Sequence, residues 1–482
     1  MNDFTSPSST GVPPGLGRAF DQALRATNGV GAYRSFLADH GVDVAAIRSM
    51  ADFTALPVVT ADNYLRRYPL SELMWDSDIR SATEWNTSSG STGEPSYYPM
   101  NSVSAEHGIE LYDRIFRTGF QSDRVSTLLV VGFAMGTWVG GTYTYRAALE
   151  LCRRGHELAA ITPGVACSSI LKSIAQLGNY YDQVVLAGYP PFVRDVLDEA
   201  NGEVPHPNMR ILAAGESVTE PWRDRILELI GHPGAAERVR LIYGTADAGI
   251  IGYETADAIA VRRLAHADQR LRSVLFGAGD VLPTFVEFDP QLRFTEVDRD
   301  GRFLFTIDGP IPLTRYRLND EGAILTRDEV SDALRRCGYQ LPVRTSTRDS
   351  GFLMLRRRSD VAASFYGVKL YPESIRSALD DPAVSSHLSG KFTLTTELDA
   401  DFAQTLTLCV ELRRGATPPA DLLETVARRV VVALAATSSE YHRLHAELGS
   451  RAEPSVSLKP FGHKLFRTES IKTRYVGASD EN

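Results

Sequence analysis

The sequence predicts an α/β protein with a large N-terminal domain of mixed and parallel sheets covered by helices, a small β-subdomain, and a small α+β C-terminal domain. Three observations support this fold class. Strand-like and helical runs alternate from residue 104 to 243. From about residue 268 to 318 the pattern changes to short strands with turns. A second set of strands and helices begins beyond residues 358–360 and occupies about 120 residues.

The chain begins with a Pro-, Ser- and Gly-rich arm that carries an acidic residue early and has no apolar core. This composition is typical of a disordered segment and not of a secretory signal. Two or three short helical patterns follow, up to about residue 75. We therefore assign a disordered arm to 1–16, a large domain to 17–358, a small domain to 359–476 and a tail to 477–482.

The parallel part of the sheet is predicted from four apolar runs with helical patterns between them. Strands that are covered on both faces appear as nearly continuous apolar runs, because neither side contacts water. The predicted strands are 126–133, 183–188, 209–214 and 238–243, and the predicted helices are 104–118, 142–154, 166–177, 191–200 and 219–231.

Two further regions complete the fold prediction. The segment 298–301 (DRDG) has the composition of a hairpin turn, and the residues before it alternate between apolar and polar. In the C-terminal domain we expect helices at 372–379 and 420–435, with strands at 391–397 and 405–413.

Composition excludes several classes of function. The chain has 482 residues, 43% hydrophobic and 23% charged, and a formal net charge of -9, which together indicate a soluble globular protein without a nucleic-acid partner. The apolar run 127–139 is too short to span a bilayer. The four cysteines form no CxxC pair, so we expect reduced thiols in a cytoplasmic protein and neither a zinc ribbon nor a redox dithiol.

One loop combines glycines with hydroxyl side chains: residues 87–95 read TSSGSTGEP. Glycine permits positive φ and close approach of the backbone to a ligand, consecutive backbone amides bind anions, and hydroxyl groups rotate to follow phosphate oxygens. The G-K-[ST] ending of a Walker loop is missing. By itself such a stretch is more often a surface turn than a phosphate site, so further support is needed.

That support comes from motifs elsewhere in the chain. The loop resembles the phosphate loop of the adenylate-forming superfamily, and later segments resemble motifs of its phenylacetate-CoA ligase branch in the same order. The resemblance extends from about residue 28 to 476. The matching segments are 214–217 (AGES), 243–247 (YGTAD), 312–320 (PLTRYRLND), 358–360 (RSD) with 367–372 (GVKLYP), and 467–474 (RTESIKTR).

The resemblance implies a reaction in which ATP activates a carboxylic acid as an acyl-adenylate with release of pyrophosphate, after which the acyl group passes to CoA. ATP, Mg²⁺ and CoA are the implied cofactors, a biosynthetic pathway is the implied setting, and a homodimer is a possible assembly. Two alternatives stay open: a different acceptor, such as a carrier-protein thiol or an amine, or a catalytically weak homologue that only binds its ligand.

The resemblance also assigns roles to individual residues. Lys472 is the implied catalytic cation between the acyl carboxylate and the α-phosphate, with Lys464 as a competitor for that role. Asp247 is the implied Mg²⁺ ligand, and Asp360 is the implied hinge of a mobile C-terminal domain. The implied phosphate-binding residues are Ser88, Ser89, Gly90, Ser91, Thr92 and Gly93, and the implied nucleotide-binding residues are Gly215, Glu216, Ser217, Tyr243, Gly244, Thr245, Asp320 and Arg358.

The branch resemblance and a group of aromatic residues suggest an acyl pocket for a medium-sized aromatic acid, although at least half of these residues are expected to be ordinary core residues. The predicted pocket residues are Phe133, Trp138, Tyr189 and Ala214.

Four positions depart from the family pattern. Glu94 replaces a lysine that is common in the phosphate loop, and we expect it to point away from the phosphates. Asp247 replaces the usual glutamate and shortens the metal ligand by one methylene. Ala246 removes a hydroxyl, and Val361 follows Asp360 where a second acid is frequent. These departures suggest an outlying member of the superfamily.

Overall fold

The computed structural model confirms the α/β class and most of the predicted elements. Strands and helices of the parallel region lie within a few residues of their predicted bounds. The structure describes residues 12–88, 96–137, 139–215, 217–277, 282–358, 363–370, 372–379, 381–385, 387–398, 404–413 and 415–466.

Helices occur in both halves of the sequence. In the described residues they are α1 Leu16–Gly29, α2 Gly31–Asp39, α3 Met50–Thr54, α4 Leu70–Leu73, α5 Ser102–Arg114, α6 Val139–Arg153, α7 Cys167–Leu177, α8 Pro190–Glu199, α9 Glu220–Leu229, α10 Ala256–Ala267, α11 Gln269–Phe276, α12 Arg327–Arg336, α13 Pro372–Leu379, α14 Pro382–Ser385, α15 Leu422–Thr437 and α16 Ser439–Leu448.

The strands are shorter and are concentrated after residue 84. They are β1 Glu84–Ser88, β2 Ser96–Met100, β3 Thr127–Gly132, β4 Leu158–Ile161, β5 Gln183–Gly188, β6 Met209–Ala214, β7 Val239–Thr245, β8 Gly249–Tyr253, β9 Thr284–Phe288, β10 Phe294–Val297, β11 Arg302–Ile307, β12 Leu313–Leu325, β13 Gly351–Arg358, β14 Ala363–Phe365, β15 Val368–Leu370, β16 Leu388–Leu398, β17 Gln404–Leu412 and β18 Ser455–Lys459.

The chain divides into two compact units, and each is built from separate stretches of sequence. The first unit comprises Met1–Trp85, Pro99–Thr118 and Ile242–Arg358. The second comprises Asn86–Tyr98, Gly119–Leu241 and Ser359–Asn482.

The first unit contains an antiparallel sheet in which β12 is paired with β11 and β13, and β9 connects β13 to β8. The hairpin predicted at 298–301 joins β10 to β11, with the amide of Gly301 donating to the carbonyl of Asp298 at 3.0 Å. Helix α11 was not expected, since its residues lie in the region predicted as short strands. Asp268 caps this helix by accepting from the amides of Arg270 and Leu271, a local signal that the strand pattern obscured.

The second unit contains the parallel sheet, in the order β4-β3-β5-β6. Strands β3 and β5 are buried along their whole length, as their continuous apolar sequence predicts. Each fully buried Val or Leu in them contributes roughly 1.5–3 kcal/mol relative to an exposed side chain. We call residues 119–241 of this unit the α/β module.

The C-terminal part of the second unit is an α+β structure that we call the C-terminal module, defined by its described residues between 363 and 466. Its sheet has the order β16-β17-β18, with β16 and β17 antiparallel and β17 and β18 parallel. The strands β14 and β15 form a hairpin whose two turn residues, Tyr366 and Gly367, have φ of 50° and 79°. Positive φ at both positions is the signature of a type I′ turn.

No helix in the described part of the chain is long and apolar enough to cross a membrane. The four cysteines lie in described regions and are free thiols of intermediate exposure.

Candidate active site

Part of the predicted site lies outside the described residues. This applies to Ser89, Gly90, Ser91, Thr92, Gly93, Trp138, Glu216, Asp360 and Lys472, and to the departures Glu94 and Val361. Ser88 ends β1 and Arg358 ends β13. The roles predicted for all of these residues stay predictions.

Thr87, the first residue of the segment 87–95, is anchored to the α/β module. The backbone amide of Thr87 donates to the carbonyl of Thr137 at 2.8 Å, and the two hydroxyl groups are hydrogen-bonded at 2.8 Å. Next to them, the hydroxyl of Thr142 donates to the Asn86 carboxamide oxygen at 2.9 Å. The start of the loop is therefore fixed to the segment that follows β3. The sequence analysis assigned no role to Thr87. The signal that could have identified this residue was its position inside the hydroxyl-rich motif.

In the first unit, the structure brings together two residues that the sequence assigned to nucleotide binding. The phenol of Tyr243, in β7, donates a 2.6 Å hydrogen bond to Oδ2 of Asp320, in β12. Asp320 is buried, with 5% of its surface exposed. A hydrogen bond to a buried carboxylate offsets part of the desolvation of its charge, so this contact fixes the orientation of Asp320.

A second hydrogen bond joins the same two segments, and here the tyrosine lies in β12 and the aspartate in the β7–β8 turn. The phenol of Tyr316, in β12, donates to Oδ2 of Asp247, in the turn between β7 and β8. Tyr316 and Asp320 are four positions apart on the buried face of β12, since alternate residues of a strand share a face. Two reciprocal hydrogen bonds therefore join β12 to the β7–β8 segment, and we call these four residues the tyrosine–aspartate clasp.

Sequence reasoning missed Tyr316. It lies within the segment 312–320 that supported the resemblance, and its alternation with Leu318 and Asp320 on one face was the signal that could have identified it. The residue before it, Arg315, has φ of 49° and donates from its guanidinium to Glu296 at 3.1 Å.

The β7–β8 turn itself is held by close backbone contacts. The hydroxyl of Thr245 accepts from the amide of Ala248 at 3.1 Å. A Cβ placed on Gly244 would lie 2.6 Å from the carbonyl oxygen of Gly249, so a side chain there would displace the turn. Thr245 and Gly244 thus support the position of Asp247, and the structure gives them a structural role beside the predicted nucleotide-binding one.

In the second unit, predicted pocket residues cluster around one aromatic ring. Tyr189 lies edge-to-face with Phe133, with ring centroids 5.1 Å apart and an interplanar angle of 79°. Gly215, which has φ of 96°, presses its backbone on the Tyr189 ring, since a Cβ on it would lie 2.7 Å from two ring carbons. Phe133 is 3% exposed and is therefore part of the core as well as a neighbour of this ring. Ala214 precedes Gly215 at the end of β6.

Two other predicted residues belong neither to the tyrosine–aspartate clasp nor to the cluster around Tyr189. Ser217 is exposed and follows β6 in an irregular segment. Lys464, the competitor for the catalytic role, is exposed in a short 3₁₀ turn at Lys464–Phe466.

Among the described residues, no group of three or more His, Cys, Asp or Glu side chains is close enough to hold a metal ion. Mg²⁺ in nucleotide enzymes keeps several waters and takes one or two carboxylates together with substrate phosphates. A single carboxylate from Asp247 fits that pattern, and a cage built from protein side chains alone does not.

The fold of this chain is similar to that of solved structures of an acid–CoA ligase, which confirms the expected resemblance at the level of the fold. Solved structures of 2-hydroxyisobutyryl-CoA ligase are similar to this chain. The structure with 2-hydroxyisobutyryl-AMP and CoA in the thioesterification state matches with a TM-score of 0.63 at 15% identity, covering 98% of this chain and 95% of the other. No protein-family model and no curated protein sequence matches.

Two further structures of the same ligase have lower scores. A postadenylation-state complex matches with a TM-score of 0.54 at 15% identity, covering 99% of this chain and 95% of that one. An open conformation matches with a TM-score of 0.52 at 16% identity, covering 99% and 97%. At these identities the likeness establishes the fold.

Proposed function

We propose that this protein is an AMP-forming ligase that converts a carboxylic acid into an acyl-adenylate and transfers the acyl group to CoA. The observation that carries the proposal is the tyrosine–aspartate clasp, because it orients the two carboxylates that the resemblance assigned to the nucleotide and to Mg²⁺. The fold supports the same conclusion, since the similar ligase was solved with an acyl-AMP and with CoA.

In the first half-reaction, a carboxylate oxygen of the acid attacks the α-phosphorus of ATP, and the bond from that phosphorus to pyrophosphate breaks. Asp320 accepts from the ribose hydroxyl groups, and Tyr243 holds the carboxylate in place from the other side. Asp247 would hold Mg²⁺, which neutralises phosphate charge when bound. The residues Ser88 to Gly93 bind the β- and γ-phosphates. Lys472 stabilises the charge that develops at the reacting oxygens.

In the second half-reaction, the thiol of CoA attacks the acyl carbon as its proton is lost, and AMP leaves with the electron pair of the broken bond. We propose that the C-terminal domain, 359–476, rotates about Asp360 between the two steps, so that Lys472 serves the first step only. We propose that acyl transfer uses the arrangement in which the C-terminal module is docked on the α/β module.

We further propose an aromatic substrate and a cytoplasmic location. The edge-to-face pair of Phe133 and Tyr189 supports an aromatic acid of medium size. Arg358 would contact the nucleotide near Asp320, since their backbones are opposite each other in β12 and β13. We place the enzyme in the cytoplasm, where ATP and CoA are available and free thiols persist.

The test is a pyrophosphate-release screen with aromatic and short aliphatic acids, run with ATP and Mg²⁺ and with or without CoA. We expect release with at least one acid, formation of the acyl-CoA, and loss of release in Asp320→Ala and Lys472→Ala. Release that does not depend on CoA, followed by transfer to an added amine or carrier protein, would identify another acceptor. Nucleotide binding without pyrophosphate for any acid would overturn the proposal.

A further inference from the structure

One buried ion pair connects the two modules of the second unit. Asp195 lies in α8 of the α/β module, and its side chain is 2% exposed. Nη2 of Arg451, which follows α16 in the C-terminal module, donates to Oδ1 of Asp195 at 2.5 Å. The same nitrogen lies 3.4 Å from the Tyr366 hydroxyl. The guanidinium is half exposed while the carboxylate is buried, so the desolvation cost of the pair comes mainly from Asp195.

The carboxylate depends on this single cation. Oδ2 of Asp195 is buried and makes no hydrogen bond among the described residues. Burial raises the pKa of Asp195 to about 6, and Arg451 acts in the opposite direction, so the cation compensates for only part of the desolvation. Tyr366 acts on this pKa in the same direction as Arg451, and the neighbours Asp198 and Cys167 are not cations.

The contacts around the pair come from the C-terminal module. The β14–β15 turn places Tyr366 beside Asp195 and Gly367 on the ring of Tyr189, which directly precedes α8. A Cβ on Gly367 would lie 2.6 Å from two carbons of that ring. Docking of the turn on α8 therefore encloses Asp195 at the same time as it brings Arg451 to it.

We infer that Arg451 is a positioning residue that makes docking of the C-terminal module on α8 conditional on its pairing with Asp195, and thereby selects the pose used for acyl transfer. A buried carboxylate that loses its cation is strongly destabilised, whereas removal of both charges costs little. The pair therefore adds little net affinity but discriminates against poses in which Arg451 is displaced. The link to acyl transfer rests on the proposed function, and the docking itself does not.

This inference predicts an asymmetric pattern among variants. Arg451→Gln leaves Asp195 enclosed without a cation. It should lower the ratio of docked to undocked molecules by about 10- to 100-fold. Asp195→Asn keeps an acceptor for Arg451 without the charge and should change the ratio by less than about threefold. The double variant Asp195→Asn/Arg451→Gln should recover most of the loss. The matched control is Arg429→Gln, whose guanidinium pairs with Asp381 inside the C-terminal module.

Docking can be measured without catalysis. Spin labels on non-natural amino acids at Tyr180 and Val432, which are 81% and 63% exposed, report the distance between the two modules by pulsed electron paramagnetic resonance in the full chain. We expect one narrow distribution for the unsubstituted chain and for Arg429→Gln, and a broad or shifted one for Arg451→Gln. Distributions that are the same for Arg451→Gln and the control would overturn the inference, as would failure of the double variant to recover.

The kinetic readout separates this inference from the proposed function. In single turnovers, Arg451→Gln should slow acyl transfer by about 10-fold or more while pyrophosphate formation changes by less than about threefold. An equal loss in both half-reactions indicates general damage and refutes the positioning role. If no acid gives pyrophosphate in the unsubstituted chain, the proposed function fails, and the distance measurement still decides whether Arg451 controls docking.

Discussion

Replacement of Gly367 by alanine tests the contact between the β14–β15 turn and Tyr189. Gly367 has φ of 79°, and a new Cβ would lie 2.6 Å from Cδ1 and Cε1 of the ring and 3.0 Å from Cγ. Carbon atoms that pack normally are about 3.5–4.0 Å apart, so the ring or the turn must move by about 1 Å. The free-energy cost of the substitution therefore has a backbone component and a steric component.

The two components can be separated with a matched glycine. Gly390 has φ of 85°, in the same region, but a Cβ on it meets nothing within 4 Å. Alanine at either position carries the cost of a left-handed backbone, about 1–2 kcal/mol. Only Gly367→Ala adds the steric cost of overpacking, about 1–3 kcal/mol, which corresponds to a factor of about 5 to 150.

The assay is the single-turnover rate of acyl transfer, measured together with the thermal unfolding midpoint of the full chain. Both variants should lower the unfolding midpoint. Gly367→Ala should in addition slow acyl transfer by a factor in the range just given, because the displaced turn no longer fits on Tyr189. Gly390→Ala should leave that rate within about twofold, since its side chain meets no neighbour.

A double-mutant cycle identifies the cause. In a Tyr189→Ala background the ring is absent, so Gly367→Ala should retain only its backbone cost and its extra kinetic effect should disappear. The reasoning is refuted if Gly367→Ala matches Gly390→Ala in both measurements, or if its effect is the same with and without the Tyr189 ring.

Three other substitutions test the remaining features. Tyr243→Phe removes the donor to buried Asp320 and should lower kcat/KM for ATP by about 10-fold in pyrophosphate release; an unchanged value would remove Tyr243 from the site. Tyr316→Phe releases Asp247 and should raise the Mg²⁺ concentration for half-maximal rate several-fold, and an unshifted Mg²⁺ titration contradicts this. Burial, with nearby arginines, lowers the pKa of His107 to about 4 from 6.5. The unfolded chain therefore binds a proton between these values that the folded chain does not, and stability falls as pH falls through the window. His107→Gln should flatten this slope in urea unfolding from pH 7 to 4.5, and equal slopes would refute it.

The local elements were readable because their signals are local. Continuous apolar runs identified β3 and β5, since a strand covered on both faces has no polar positions to alternate with. The segments 243–247 and 312–320 were predicted as site motifs from their resemblance to motifs of the adenylate-forming superfamily. Helix α11 was missed because it lies in a region of strand-like composition. Its local signal, the cap that Asp268 forms with two hydrogen bonds, is weaker than the surrounding pattern.

The amino-acid sequence by itself determined the α/β class, the order of the motifs and the residue types that suit nucleotide chemistry. Only the tertiary structure decided which of those residues meet. Tyr243 and Asp320 are 77 positions apart, and Tyr316 and Asp247 are 69 apart. Nothing in either segment specifies the partner, because the contact depends on strand order and register, which follow from how the whole unit packs. The same holds for Asp195 and Arg451, 256 positions apart, whose pairing exists only when the C-terminal module is docked on α8.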